Sequence, residues 1–236
     1  MTRRKRFPLV TIDLDDTVWP SAPVLLQAED ALYRWLQQVA PGVTDAHEPV
    51  SLRRQRLGLM RERPDIAHDI TRVRRESLRR LLAGHGYAPE LAEEAMSIFL
   101  YHRNQVQPYS EVVDVLRDLG VRHRLISITN GNSDPARTPL RGLFHGSLNA
   151  VIAGAAKPDP AIFRMALDWA GVSAEQAIHV GDDPLLDVAA ARDVGMTAVW
   201  VNRNGRNWPS DLEPPDVQVI DLTALSNWLN GADRAL

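Results

Sequence analysis

The chain has no cysteine, and that absence removes disulfide staples, thiolate nucleophiles and Cys-ligated zinc or iron–sulfur centres together. Lysine is nearly missing as well: of 27 basic side chains only Lys5 and Lys157 are lysines, and the rest are arginines. Lys5 belongs to the basic opening run "MTRRKRF", which leaves Lys157 as the one lysine in the body of the chain. No apolar run approaches the length of a membrane span. Nor does an apolar segment follow the basic opening, because Pro8 and Asp13 interrupt it, which argues against a secretory leader. A reducing cytoplasm fits these features and is the expected location. The net charge of −3 argues against a nucleic-acid-binding body.

What is present is an ordinary globular mixture, 44% hydrophobic and 24% charged over 236 residues, enough for one large domain or a domain with an inserted module. The stretch from about Pro8 to Asp13 reads as a short buried strand. From Val24 to Gln105 the pattern is helical throughout. It contains "VLLQAEDALYRWLQQVA", "PVSLRRQRLGLMRER", "IAHDITRVRRESLRRLLAGHGY" and "PELAEEAMSIFLYHR", with Gly84 and Gly86 as stop signals.

After Pro108 helix and strand alternate. Ser110 is placed to cap "EVVDVLRDLG"; "RLISIT", "NAVIAG", "TAVWV" and "DVQVID" read as strands, and "AIHVGDD" as a strand then a turn. "DPAIFRMALDWAG", with Asp159 as its cap, "PLLDVAAARDVG" and "LTALSNWLN" read as helices. Alternation of this kind implies a parallel sheet covered on both faces. The expected organisation is a Rossmann-like α/β core, 1–20 with 108–236, interrupted by a helical module at 21–107. Ligands of such sheets bind at the carboxyl ends of the strands.

Chemistry-bearing residues recur at those ends. "TIDLDDT" places Asp13, Asp15 and Asp16 where the first apolar strand stops. Thr129, Asn130 and Gly131 end the second strand, either as a phosphate cradle of hydroxyl and backbone N–H groups or as an ordinary turn. Lys157 follows "AVIAGAA", near the end of the third expected strand, either as a buried counter-charge or as a solvated surface group. Asp182 and Asp183 end another strand, with Asp187 one helical turn on, and two carboxylates there also suit a helix N-terminus. A parallel sheet brings these turns together, and five or more carboxylates on one rim repel strongly without a cation. An all-oxygen donor set, with no cysteine and no clustered histidine, favours Mg2+ over zinc or copper.

Taken in this order, "DLDDT", "ITNGN", "KPDP" and "GDDPLLD" resemble the four motifs of the haloacid dehalogenase superfamily of aspartate-nucleophile phosphatases, and the helical insertion looks like that family's small cap domain. The resemblance implies a Mg2+-dependent phosphatase acting on small-molecule phosphate esters. Asp13 is then the nucleophile and Asp15 the general acid and base. The metal is held by Asp13, the Asp15 carbonyl and Asp182. Thr129, the Asn130 N–H and Lys157 bind the phosphoryl group, and Asp183 or Asp187 supports the metal or orients Lys157. Asp16 is expected to hold the loop.

Dehalogenases of the superfamily lack the second aspartate of the first motif, so Asp15 argues against that chemistry. Phosphonate hydrolases need a cap lysine, and none lies between Lys5 and Lys157. Sugar phosphate mutases share every core motif and stay open as an alternative, as do a phospho-acceptor receiver and a silent binding protein. Within the cap, "PVLLQAEDAL" and "RPDIAHDITRVRRESLRRLL" resemble the bacterial flavin mononucleotide phosphatase subgroup, whose members also act on 5-amino-6-(5-phospho-D-ribitylamino)uracil. Ten arginines from Ser51 to Arg80 face Glu62, Asp65, Asp69 and Glu76. They are either a steering field for phosphorylated substrates, with Arg72 or Arg75 reaching the cleft, or solvated helix faces paired at i, i+4. His68 and Trp19 are either substrate contacts or core residues.

Overall fold

The structure, a computed structural model, describes residues 7–233; the basic opening with Lys5 lies outside them. The chain divides into two compact units, Met1–Pro20 with Gln107–Leu236, and Ser21–Val106.

The first unit is built on a parallel sheet of β1 (Leu9–Ile12), β2 (Arg124–Thr129), β3 (Gly146–Asn149), β4 (Ala177–Gly181), β5 (Thr197–Val201) and β6 (Val217–Val219), in the order β3-β2-β1-β4-β5-β6. Its central strands are near-continuous apolar runs because both faces are covered. Register decides which residues share a face. Thr11 pairs with Ile126 and with His179, Leu9 with Arg124 and Ala177, and Gly181 with Trp200. That face packs Ile126, Ile128, Leu148 and Trp200 against Ile162 and Phe163, and against Val188 and Ala191. The order reverses on either side of β1, so the crevice beyond β1 and β4 is the topological switch point.

The second unit holds α1 (Ser21–Val39), α2 (Pro41–Ala46), α3 (Pro49–Glu62), α4 (Ile70–Gly84) and α5 (Leu91–Arg103). Its core gathers the stripe Ala28, Leu32 and Leu36 of α1 with Leu78 and Leu82 of α4 and Met96 and Phe99 of α5. Arg74, buried, lies with its guanidinium 3.6 Å from the Phe99 ring centroid and shares Glu29 with Arg56 (3.4 and 2.9 Å). Burial pushes Arg74 down to about 9, with Arg56 adding and Glu29 opposing. Other arginines of this unit pair across helices as well as at i, i+4: Arg80 meets Glu76, and Arg75 and Arg79 both meet Glu93 (3.0 and 3.2 Å). Arg75 is thus engaged within its own unit.

The remaining helices belong to the first unit: α6 (Val112–Gly120), α7 (Ala150–Ala153), α8 (Ala161–Ala170), α9 (Ala190–Asp193) and α10 (Leu222–Asp233). Five sequence expectations are corrected. "NAVIAG" is not a strand: β3 ends at Asn149, whose side chain accepts from the N–H groups of Val151 and Ile152 (both 3.0 Å) and starts α7. Lys157 therefore sits eight residues beyond β3, on a loop, rather than near a strand end. Ser110 does not cap α6; Glu111 occupies that position and makes no side-chain cap bond. Helix α4 starts at Ile70, not Ile66, because Asp69 accepts from the Arg72 N–H (2.8 Å). "PLLDVAAARDVG" is only partly α-helical, since Pro184–Ala189 is a π-helical turn in which the Val188 N–H reaches the Asp183 carbonyl (3.2 Å).

Candidate active site

Asp13 follows β1 directly and its N–H continues the ladder to the Val180 carbonyl (2.9 Å), which aims the carboxylate into the switch-point crevice. The side chain is buried, with Oδ1 2.5 Å from Lys157 Nζ and the Thr17 hydroxyl 3.5 Å from Oδ2. Lys157 uses all three of its donors inside the protein: Asp13 Oδ1 and Asp187 Oδ1, each at 2.5 Å, and the Ile128 carbonyl at 3.2 Å. Its loop is clamped by Asn130, whose amide donates to the Lys157 carbonyl (2.9 Å) and accepts from the Lys157 N–H (2.7 Å). The Asn130 side chain is therefore a brace. The Thr129 hydroxyl accepts from the Gly131 N–H (2.8 Å) and keeps its own proton for another acceptor.

Asp187 is the hub on the other side of Lys157. The π-helical turn carries it back under Gly181, and its Oδ2 accepts from the Asp183 N–H (3.0 Å) while Oδ1 lies 3.2 Å from His179 Nε2. Burial pushes His179 down, so the ring is neutral. A carboxylate only accepts, so Nε2 carries the proton, and Nδ1 accepts from the Thr11 hydroxyl 2.8 Å away. Asp183 caps the turn, accepting from the N–H groups of Leu185 and Leu186 (2.9 and 2.8 Å).

One ammonium between two buried carboxylates leaves a deficit of positive charge. Burial holds Lys157 away from its charged form, but Asp13 and then Asp187 outweigh it and raise its pKa. Burial likewise opposes ionisation of Asp187, yet Lys157 and His179 win and hold it well below the usual carboxylate range. Asp13 goes the other way: burial lifts it, Lys157 opposes, and the charge of Asp187 adds to the rise. Burial also pushes Asp182 up to about 7, with Asp187 and Asp16 adding and Arg206 opposing from 3.1 Å. Carboxylate oxygens of Asp13, Asp182 and Asp187 lie within 4.8 Å of one another. A cation at this point relieves all three, and the donors are oxygens only. Asp187 is already engaged by Lys157, His179 and Asp183, so Asp13 and Asp182 are the side chains that fit such an ion.

Asp15 is oriented by Trp19, which is fully buried and donates from Nε1 to Oδ1 (2.8 Å). Asp16 turns the loop at φ 61°, a left-handed conformation that Asp tolerates better than most side chains, and its N–H meets the Trp19 carbonyl (2.7 Å). Sequence reasoning missed Thr11, Thr17, His179, Arg206 and Gly181. Thr17 left a trace as the last residue of "DLDDT", and Gly181 as a glycine between a strand and an acidic turn. Its Cβ would stand 2.3 Å from the Asp187 Cγ, so no other residue fits without moving the hub. Gly181→Ala is expected to cost about 1–3 kcal/mol in urea unfolding. An unchanged midpoint would show that Asp187 has room to withdraw.

The haloacid dehalogenase-like hydrolase family matches residues 7–195. The chain is similar to 5-amino-6-(5-phospho-D-ribitylamino)uracil phosphatase YigB of Escherichia coli (strain K12), with 31% identity over 94% of this chain and 96% of that one. Phosphoserine phosphatase of Thermus thermophilus is 40% identical over 63% of this chain and 62% of its own length. Among solved structures, 2-haloacid dehalogenase from Pseudomonas syringae pv. Tomato DC3000 superposes with a TM-score of 0.89 at 41% identity, covering 95% and 99% of the two chains. An HAD phosphatase from Thermococcus onnurineus gives 0.67 at 25%, over 95% and 99%. The chain belongs to the haloacid dehalogenase-like hydrolase family. It is an enzyme of that hydrolase class.

Proposed function

We propose that this enzyme is a Mg2+-dependent phosphatase of small-molecule phosphate monoesters, working through an aspartyl-phosphate. The observation that carries the reading is Lys157 Nζ bridging Asp13 and Asp187 beside Asp182, with Asp15 held two residues from Asp13. In the first step Asp13 attacks phosphorus, the ester P–O bond breaks, and Asp15 gives its proton to the leaving oxygen. In the second, Asp15 takes a proton from water, whose oxygen attacks the same phosphorus and returns Asp13 as a carboxylate. The Thr129 hydroxyl and the Asn130 N–H hold the phosphoryl oxygens, and Lys157 offsets the charge that builds on them. Asp13, the Asp15 carbonyl and Asp182 would hold Mg2+, which supplies positive charge at the phosphoryl oxygens. Asp187 orients Lys157, Asp183 caps its turn, and the helical module 21–107 takes the part of the family's cap.

The substrate we assign is flavin mononucleotide or 5-amino-6-(5-phospho-D-ribitylamino)uracil, supported by the full-length similarity to the Escherichia coli phosphatase and by the cap sequences. The test is phosphate release, with Mg2+, from those esters, an aryl phosphate, nucleotides and sugar phosphates, against Asp13→Asn protein. A marked preference for the flavin or ribityl ester is expected; uniform weak release would refute that assignment while keeping the phosphatase. Excess chelator is expected to stop release, and an unchanged rate would remove the metal.

A second reading, 2-haloacid dehalogenase, draws on the solved structure at 41% identity. Against it stands Asp15, which a displacement of halide does not need. Asp15→Asn is accordingly expected to lower phosphate release by about a hundredfold or more. Halide release from a 2-haloacid, undiminished by Asp15→Asn, would reverse the choice.

A further inference from the structure

The first unit carries a second feature at the other end of its sheet. A cavity of about 310 Å3 opens at the amino-terminal ends of β2 and β3, lined by Arg124, Ile126, His145 and Trp169. That volume is at the lower end of the range for small-molecule pockets. Four residue steps along the strand, about 13 Å, separate Arg124 from Ile128, whose carbonyl meets Lys157 Nζ, so the cavity is separate from the acidic rim.

Each wall has a definite chemistry. The Trp169 indole is half exposed, yet its position is set: Gly146 lets the ring lie on the strand backbone, where a Cβ would come within 1.7 Å of it. The ring thus offers its open part as a stacking surface. The Arg124 guanidinium is aimed by Nη1, which donates to the Trp169 and Ala170 carbonyls at the end of α8 (both 3.3 Å). Among the described residues no carboxylate pairs with it. His145 Nδ1 accepts from the Leu125 N–H (3.0 Å), which places the ring proton of the neutral imidazole on Nε2 as a donor. Ile126 supplies an apolar floor.

We propose that this cavity binds an aromatic carboxylate, its ring stacked on Trp169 and its carboxylate paired with Arg124 and the His145 N–H. The lining carries one positive charge and one neutral donor, which matches a monoanion; a phosphate dianion would bring a second charge without a partner. A guanidinium also fits a carboxylate with two parallel hydrogen bonds. The site is independent of the catalytic reading, because none of its residues serves the acidic rim.

The experiment is calorimetric titration of the full-length protein with 2-naphthoate, with 2-naphthalenemethanol as the ring without charge and acetate as the charge without ring. Saturable one-to-one binding of naphthoate, at least tenfold tighter than either comparator, is expected. Arg124→Gln, a change at an exposed side chain, is expected to weaken it at least tenfold with an unchanged melting midpoint. Trp169→Ala should also weaken it at least tenfold, while Asp13→Asn binds as the wild type does. Naphthoate binding no tighter than the comparators would overturn the proposal. So would binding that survives Arg124→Gln within twofold, or that is lost in Asp13→Asn, which would place the ligand at the acidic rim.

Discussion

Asp13→Asn protein is expected to fold and to lose turnover by at least about a thousandfold, in single-turnover as well as steady-state assays. Asparagine keeps the size of the side chain and the Asp13 N–H bond to Val180, so the strand end is preserved. What it removes is the carboxylate oxygen that attacks phosphorus, and with it one of the two carboxylates that share Lys157. The fold has a reason to tolerate this change: burial already disfavours the charge on Asp13, and losing it relieves the like charge on Asp187. The melting midpoint is therefore expected to stay level or rise while activity disappears. Residual turnover near that of the wild type, from protein freed of any native enzyme, would sink the nucleophile assignment.

Lys157→Met is expected to do the opposite to stability. The apolar stem is kept, but Asp13 and Asp187 lose the ammonium 2.5 Å from each and are left buried and facing one another. Removing one partner of a buried ion pair costs about 3–5 kcal/mol. The pH dependence follows from the direction of the shifts. In the wild type the depressed Asp187 contributes stability that is present above the ordinary carboxylate pKa and fades as pH falls through its lowered value. In the variant both carboxylates are raised by burial, so stability is present at low pH and is lost as pH rises through those raised values. The gap between the two proteins should thus be widest at neutral pH and narrow on acidification. Urea unfolding in chelator at pH 5 and pH 8 measures it, and a gap independent of pH would show that Lys157 does not compensate these groups. Phosphate release should fall with the substitution at every pH.

Much of this was legible in the chain because it is local. A strand that stops at an acidic residue, a Thr-Asn-Gly turn and a lone lysine before a proline are patterns of neighbours, and in a parallel sheet neighbours at strand ends converge. Asp13, Asp15, Thr129, Lys157, Asp182 and Asp187 could be named on those grounds. The run Ala150–Ala153 misled for the same reason. Its apolar, β-branched composition suits a strand, but Asn149 can satisfy two N–H groups and begin a helical turn, and Val151 and Ile152 are then left half exposed. The division of labour among the aspartates was not legible either. Asp183 and Asp187 sit four residues apart in one acidic turn, and only the π-helical geometry turns one into a cap and sends the other beneath Gly181 to Lys157.

The sequence alone determined the α/β core, the interruption of that core after its first strand, the acidic rim and the restriction to oxygen donors, since each follows from periodicity or from residues that are absent. The tertiary structure decided how charge is distributed on that rim. Buried Thr11 and His179 back Asp187, the Asn130 amide locks the Lys157 loop, and Trp19 sets Asp15. Apart from Trp19 and Asp15, four residues apart, these contacts join residues as distant as Thr11 and His179, and no local pattern encodes them. They exist because β1 lies between β2 and β4, and parallel pairing brings one row of each strand onto the same face.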